Sequence, residues 1–126
     1  MSAVGSLLRD LESTMLRGSN DVRADILSRL TDLFLATAVH MDEEQVGVFD
    51  VVIGRLSRAI ELRARVELSE RIAPVPNAPS GVVRQLALDE IAVARAVLVQ
   101  SPRLTDQDLV AISAAKGRDH MLAITE

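Results

Sequence analysis

The chain has 126 residues and a formal net charge of −4, with 48% hydrophobic and 25% charged residues. This balance is typical of one globular domain, and the acidic charge disfavours nonspecific binding to nucleic acid or to an anionic membrane. Cysteine is absent, which excludes disulfides and thiolate metal sites. Since the sequence shows neither a signal-peptide pattern nor an apolar run long enough for a membrane span, we expect a cytoplasmic protein.

The aromatic content is unusually low. Phe34 and Phe49 are the only aromatic residues, and tyrosine and tryptophan are absent. The core must therefore consist mainly of Leu, Val, Ile and Ala, which suits closely packed helices. The chain also lacks the side chains that are most favoured as interface hot spots and as stacking platforms for bases.

The first forty residues are predicted to form a helical hairpin. Residues 3–17 and 19–38 both place apolar residues at helical spacing, and Gly18 between them is typical of a helix C-terminus. The linker is so short that the two helices are expected to be antiparallel. The predicted inward stripe of the second helix consists of Val22, Ile26, Leu30, Leu33 and Thr37, widened by Leu27, Phe34 and Ala38.

A third helix is predicted to follow Asp42, which is a good N-cap residue. Gly47 and Gly54 lie on nearly one face of this helix, and each lowers helix stability by about 1 kcal/mol relative to alanine. Close approach of a neighbouring helix would compensate for them. The predicted inward residues are Val46, Phe49, Val52, Ile53, Leu56 and Ile60.

Residues 60–68 carry two conflicting signals. Apolar and charged residues alternate strictly, which is a strand pattern. The residues themselves are good helix formers, and the chain offers no second strand for pairing. We therefore predict a helix with a bend or break near residues 59–62.

Short helices separated by turns are predicted for the rest of the chain. Three prolines between Pro74 and Pro79 stop one helix, and Ser80 is predicted to cap the next. Ser101-Pro102 ends another, and the pair Thr105 and Asp108 has the spacing of an N-terminal capping box. The predicted inward residues are Val82, Val83, Leu86, Ala87, Ile91, Ala94, Val97, Leu98, Leu109, Ile112 and Ser113, with Gly117 ending one helix and Asp119 beginning the last. The pattern of apolar residues occurs in two imperfect copies, with a period of about 26 to 29 residues. Such a repeat indicates a helical solenoid.

This part of the sequence resembles a known family. The motifs are the Pro-Asn-Ala-Pro turn at 76–79, Val83-Arg84-Gln85-Leu86-Ala87, Asp89-Glu90-Ile91, Val97-Leu98 with Ser101-Pro102, Leu104-Thr105-Asp106, Asp108-Leu109, and His120 with Leu122-Ala123-Ile124. Over residues 43–126 they are similar to the alphaproteobacterial family catalogued as domain of unknown function 2336. The resemblance implies an all-helical, HEAT-like fold and no assigned activity. It also implies that this chain is the N-terminal part of a longer protein.

The sequence offers little for catalysis. His40 lies at a predicted helix end, where an imidazole favours the helix dipole, and His120 occupies an apolar position typical of a packed, hydrogen-bonded histidine. Neither has zinc-ligand spacing, the acidic clusters fit helix starts, and no glycine-rich phosphate loop is present. We expect no enzymatic activity, catalytic residue, metal or cofactor.

Arginines recur along the predicted repeats, at positions 63, 65, 71, 84, 95 and 103. They could form a basic ridge, as in helical-repeat proteins that bind DNA, or a solvated face paired with the glutamates at positions 61, 67, 70 and 90. The acidic net charge and the missing aromatics favour the second interpretation. The candidate partner-binding residues are Arg63, Arg84, Arg95 and Arg103.

We predict a single all-α domain over residues 1–126, with the hairpin in 1–40 and a HEAT-like α-solenoid in 41–126. The predicted function is a cytoplasmic, bacterial protein-interaction or scaffold module, and the alternative is a nucleic-acid-associated helical-repeat module. We further expect a homodimer, because in a longer protein the next repeat would cover the apolar residues of the last helix. The candidate self-association residues are Met121, Leu122 and Ile124.

Overall fold

A computed structural model describes residue 9 and residues 20–125, and this part of the chain is all helical, without strands. Apart from residue 9, the first arm of the predicted hairpin, residues 3–17, lies outside the described residues. The seven α-helices of the described part are α1 (Asn20–Thr37), α2 (Glu43–Arg58), α3 (Leu62–Ile72), α4 (Ser80–Ala87), α5 (Ile91–Gln100), α6 (Asp106–Lys116) and α7 (Arg118–Ile124), with a 3-10 turn (Ala38–His40) after α1. The all-α prediction is confirmed.

The helices pack in two rows. Helix α3 contacts α1 on one side and α5 on the other, and α5 in turn contacts α7. Helix α2 packs against α4, and α4 packs against α5. Alternate helices along the chain are therefore neighbours in space, and α6 packs against α7. One hydrophobic core runs between the rows from α1 to α7.

The break between α2 and α3 is where the sequence predicts it. Helix α2 ends at Arg58, and α3 begins at Leu62, so the alternating segment is helical. The guanidinium of Arg65 donates to the carbonyl oxygen of Ile60 at 2.8 Å, which satisfies a backbone acceptor in the break. Helix α3 buries only part of its circumference. The alternating pattern therefore comes from charged residues with good helix propensity on a helix that is partly exposed.

The buried stripe of α1 is narrower than predicted. Its buried residues include Leu27, Leu30 and Phe34, whereas Val22 and Leu33 are exposed, which corrects the prediction. The reason is that Thr31 is buried and donates its hydroxyl to the carbonyl oxygen of Leu27 at 2.8 Å. A threonine whose hydroxyl is hydrogen-bonded within its own helix can face the core. The buried face of α1 therefore includes Thr31 and differs from the purely apolar stripe that the sequence predicts.

Helix α4 is capped by another helix. The prediction that Ser80 caps it is wrong, since the N-cap position is Pro79 and no side chain of the local segment caps the helix. Instead the Asp50 carboxylate of α2 accepts the N–H of Val82 at 2.7 Å and the N–H of Gly81 at 3.3 Å. A carboxylate at this end is favoured by the helix dipole and satisfies two unpaired donors.

The two helical glycines of α2 have different surroundings. A Cβ at Gly54 would lie 3.5 Å from the amide oxygen of Gln85, so α4 does approach there. At Gly47 a Cβ would meet nothing within 4 Å, and the predicted close approach is wrong at this position. The tightest position is Gly81, where a Cβ would lie 2.6 Å from an oxygen of Asp50.

We expect opposite effects from alanine at these positions. Gly81→Ala should displace the Asp50 carboxylate and lower the free energy of unfolding by about 1 kcal/mol, the usual value of a cap. Gly47→Ala should raise it by up to about 1 kcal/mol through helix propensity. Urea unfolding of both variants tests this. In an Asp50→Ala background, Gly81→Ala should no longer destabilise, and a persistent loss would show that the carboxylate is not the cause.

Candidate partner-binding surface

The four candidate arginines lie in different surroundings. Arg63 on α3 and Arg95 on α5 are exposed, and these two helices pack against each other. Arg84 on α4 places its Nε 3.4 Å from a carboxylate oxygen of Asp108. Arg103, in the turn before α6, places its Nη2 2.9 Å from a carboxylate oxygen of Glu43. Three of the four, Arg63, Arg84 and Arg95, are therefore exposed. Arg84 and Arg103 lie beside carboxylates of this chain.

Arg103 connects three segments. Its Nε donates to the carbonyl oxygen of Ala78 at 2.7 Å, and its Nη2 donates to the Glu43 carboxylate at 2.9 Å. Only 22% of the side chain is exposed. The guanidinium thus ties the proline-containing turn before α4 to the start of α2. This is a structural role, which the recurrence of arginine in the sequence did not distinguish from a surface role.

Arg65 forms a second internal connection. Its Nε lies 2.7 Å from one carboxylate oxygen of Asp89, and its Nη2 lies 3.3 Å from the other. The backbone carbonyl of Asp89 lies 2.8 Å from Nε2 of His120, which must be the protonated ring nitrogen because a carbonyl can only accept. His120 is buried, which confirms the interpretation of a packed, hydrogen-bonded histidine. This network joins α3, the α4–α5 turn and α7.

A cleft of about 240 Å³ lies between α2 and α4, and two of its polar side chains, Asp50 and Gln85, hold the fold together. Asp50 caps α4, as described above. The side-chain amide of Gln85 donates to the hydroxyl of Ser57 at 2.7 Å and to the carbonyl oxygen of Gly54 at 3.2 Å. These contacts hold the two helices together and give no indication of a ligand.

The last two helices carry exposed apolar residues. Helix α6 has 11 residues and buries only one of them, Ile112. Val110 on its other side is 70% exposed, and Met121 and Leu122 on α7 are 49% and 53% exposed. Ile124 is half-buried and packs against the core. Of the predicted self-association residues, Met121 and Leu122 are thus accessible, Ile124 is less so, and Val110 is an addition that the sequence analysis missed.

We call this region the α6–α7 surface and define it as Val110, Ala111, Ala114, Met121 and Leu122, all of which are exposed. The hydrophobic periodicity of α6 gave little indication of this surface, because leucine, isoleucine and valine occur on both sides of the helix. Only the packing of α7 against α6 and α5 decides which side is covered.

The start of α6 is fixed by the predicted capping box. The N–H of Asp108 donates to the hydroxyl of Thr105 at 3.0 Å, and the Asp108 carboxylate accepts the N–H of Thr105 at 3.0 Å. The hydrogen bond from the backbone of Thr105 is the main cause that lowers the pKa of Asp108 below its ordinary value of 3.8, and the Thr105 hydroxyl and Arg84 add to it.

This lowered pKa predicts a pH dependence. The carboxylate of Asp108 stabilises the folded state when the pH is above its unfolded-state value of 3.8, and this contribution is lost as the pH falls through the lower folded-state value. Asp108→Asn should therefore destabilise the protein at neutral pH, and the difference from wild type should shrink below pH 3.8. Urea midpoints measured across this range test the prediction. A difference that stays constant with pH would contradict it.

Two further kinds of site are absent from the described residues. Among them, no group of three or more His, Asp or Glu residues could hold a metal ion. No helix in the same part of the chain is long and apolar enough to cross a membrane.

Comparison with known proteins adds no further information. The chain matches no protein-family model. No curated protein matches it, and neither does a solved structure. The fold and the exposed residues are therefore the basis for a functional assignment.

Proposed function

We propose that this chain is a protein-interaction module built as a short HEAT-like stack of helices. The side-by-side packing of alternate helices supports it, since α1, α3, α5 and α7 follow one another in one row while α2 and α4 pack in the other. Such stacks present extended surfaces to partners. The resemblance of residues 43–126 to the family of domain of unknown function 2336 implies a HEAT-like fold, and it implies no activity.

The observation that carries the proposal is the exposure of the α6–α7 surface. Helix α6 buries one residue out of 11, although four of its exposed residues are apolar: Val110, Ala111, Ala114 and Ala115. Met121 and Leu122 add two larger apolar side chains on the helix that packs against it. Exposed apolar residues on two helices that pack together are typical of a contact with another protein.

The roles of the polar side chains also favour binding over catalysis. Asp50 caps α4, and Gln85 bridges α2 and α4. Arg65 and Arg103 bind backbone carbonyls and carboxylates of distant segments. These four polar side chains thus hold helices together.

Size-exclusion chromatography of an extract from cells that naturally express the protein tests the proposal. We expect the wild-type protein to elute in an assembly larger than the free chain, and Leu122→Glu to elute as the free chain. The control is Leu88→Glu, since Leu88 at the end of α4 is 45% exposed and lies outside the α6–α7 surface. Circular dichroism should show the same helix content for all three proteins.

Two outcomes would contradict the proposal. One is elution of the wild-type protein at the position of the free chain. The other is an equal effect of Leu122→Glu and Leu88→Glu, which would show that the assembly does not depend on the α6–α7 surface.

The alternative function, association with nucleic acid, receives less support. The net charge is −4, and Arg65, Arg84 and Arg103 are paired with carboxylates of the chain itself. We expect at most weak binding to duplex DNA that weakens further as salt increases, because only a basic face would release counterions from the phosphates. Fluorescence anisotropy with a labelled duplex measures this. Submicromolar affinity at physiological salt would make nucleic-acid binding the better assignment.

A further inference from the structure

We propose that the cleft between α2 and α4 binds a small oxyanion through Arg55 and Arg58. The ligand is a phosphate or carboxylate ion, or the same group on a small molecule. This binding site goes beyond the proposed function, and it lies apart from the α6–α7 surface, because the described residues that line the cleft belong to α2 and α4.

The size of the cleft suits a small group. Glycine contributes to both walls, with Gly54 on α2 and Gly81 on α4. A Cβ at Gly54 would lie 3.5 Å from the amide oxygen of Gln85, so a larger side chain there would fill the space between the helices. The volume of the cleft is about 240 Å³, which is below the roughly 300 Å³ at which pockets for drug-sized ligands begin.

The charges of the cleft are separated along α2. Asp50 lies at one end, where its carboxylate accepts the N–H groups of Gly81 and Val82 and faces the positive end of α4. Arg55 and Arg58 follow Asp50 by five and eight residues, which places them about 7.5 and 12 Å further along the helix axis. The end of the cleft away from Asp50 is therefore positively charged, although the net charge of the chain is −4.

The two arginines form a like-charge pair. Both are exposed, and they lie three residues apart, so they are neighbours on the surface of α2. Among the described residues, Arg58 forms no ion pair with a carboxylate. Like charges at this spacing destabilise a helix, and an anion between them would remove the repulsion. Their position in the last turn also suits the helix dipole, but that role alone predicts no anion binding.

The guanidinium group determines the class of ligand. It is planar and donates two parallel N–H bonds, a geometry that matches two oxygens of a phosphate or a carboxylate. Two guanidiniums on neighbouring positions can bind one oxyanion from two sides. The amide of Gln85 is already used, since it donates to Ser57 and to the carbonyl oxygen of Gly54. Gln85 therefore fixes the opposite wall of the cleft, and the arginines supply the donors for the ligand.

Titration of the ¹⁵N-labelled chain with inorganic phosphate, and separately with glutarate, tests the inference by NMR, with sodium chloride holding the ionic strength constant. We expect saturable shifts of the backbone N–H of Gly54 and of the side-chain Nε–H signals of Arg55 and Arg58. Arg58→Gln should weaken the binding roughly ten-fold or more, because one charge-assisted contact is lost. The control is Arg63→Gln, since Arg63 is exposed on α3 and lies outside the cleft, and it should bind like the wild-type protein.

The two titrations distinguish the sources of the oxyanion. Saturation by phosphate alone supports a phosphate ligand, saturation by glutarate alone supports a carboxylate, and saturation by both supports an oxyanion of either kind. Shifts that grow without saturation in both titrations would overturn the inference. So would an Arg58→Gln variant that binds like the wild-type protein, or an equal loss of binding in Arg63→Gln. The spectra themselves show whether each variant is folded. None of these outcomes bears on the proposed function, which depends on the α6–α7 surface.

Discussion

Phe34→Ala is expected to lower the free energy of unfolding by about 3 to 5 kcal/mol, the usual loss when a buried phenylalanine is truncated. Phe34 is fully buried on α1, and its ring centroid lies 5.5 Å from that of Phe49 on α2, at an angle of 58°. These are the only two aromatic residues of the chain. The variant removes both the buried area and the ring contact, which adds about 0.5 to 1.5 kcal/mol.

Urea unfolding followed by circular dichroism measures this loss. Leu33→Ala is the matched control, because Leu33 precedes Phe34 on the same helix and is 40% exposed. We expect the control to change the stability by about 0.5 kcal/mol or less, as is usual for surface substitutions. Equal losses for the two variants would mean that α1 packs with a different face against α2 than the structure describes.

Arg65→Ala is the second substitution with a large expected effect, a loss of about 2 to 4 kcal/mol. The side chains of Arg65 and Asp89 are each only 19% exposed. Removal of the guanidinium would leave the Asp89 carboxylate and the carbonyl oxygen of Ile60 without this partner. Arg65→Lys should recover part of the loss, since lysine keeps the charge but cannot bind both carboxylate oxygens in the same way.

Arg29→Ala provides the control for a surface ion pair. Arg29 lies 3.0 Å from Asp25 one turn earlier on α1, and the two side chains are 78% and 59% exposed. Exposed pairs of this kind contribute roughly 0.3 to 0.5 kcal/mol. Chemical denaturation of the three arginine variants side by side separates the two roles. If Arg65→Ala were no worse than Arg29→Ala, the network around Asp89 would not stabilise the fold.

The sequence predicted the elements of the fold because local chemistry determines them. Asp42 caps α2 by accepting the N–H of Gln45 at 2.8 Å, and Thr105 caps α6, as their positions before apolar stripes indicated. Helix α3 ends before the prolines at 74–79, and α5 ends before the Ser101-Pro102 pair, as expected. Each of these signals acts over three or four residues, so it can be read from the sequence without knowledge of the packing.

The contacts between elements could not be predicted, because they join residues that are far apart in the chain. Asp50 caps a helix that begins about thirty residues later, and nothing near Asp50 in the sequence indicates that role. The need for glycine at position 81 arises from the same contact and was likewise invisible. The buried face of α1 depends on α2 and α3, and for that reason the exposure of Leu33 was not foreseen.

The candidate surface could be predicted only in part, because it too depends on contacts between distant elements. Met121 and Leu122 were predicted as self-association residues, and both are exposed. Val110 was not singled out, since the covered side of α6 is decided by α7. Arg103 was assigned to a surface role, although its guanidinium connects Ala78 and Glu43. In the sequence a buried structural arginine and an exposed binding arginine look alike.

Photo-cross-linking in cells that naturally express the protein tests the central claim most directly. Leu122→p-benzoylphenylalanine places a photoreactive group on the α6–α7 surface, and Leu88→p-benzoylphenylalanine places it at a similarly exposed position on α4. If the chain is a protein-interaction module that binds through the α6–α7 surface, irradiation should give one discrete protein adduct from position 122 and none from position 88. Absence of an adduct at position 122, or the same adduct from both positions, would contradict the claim.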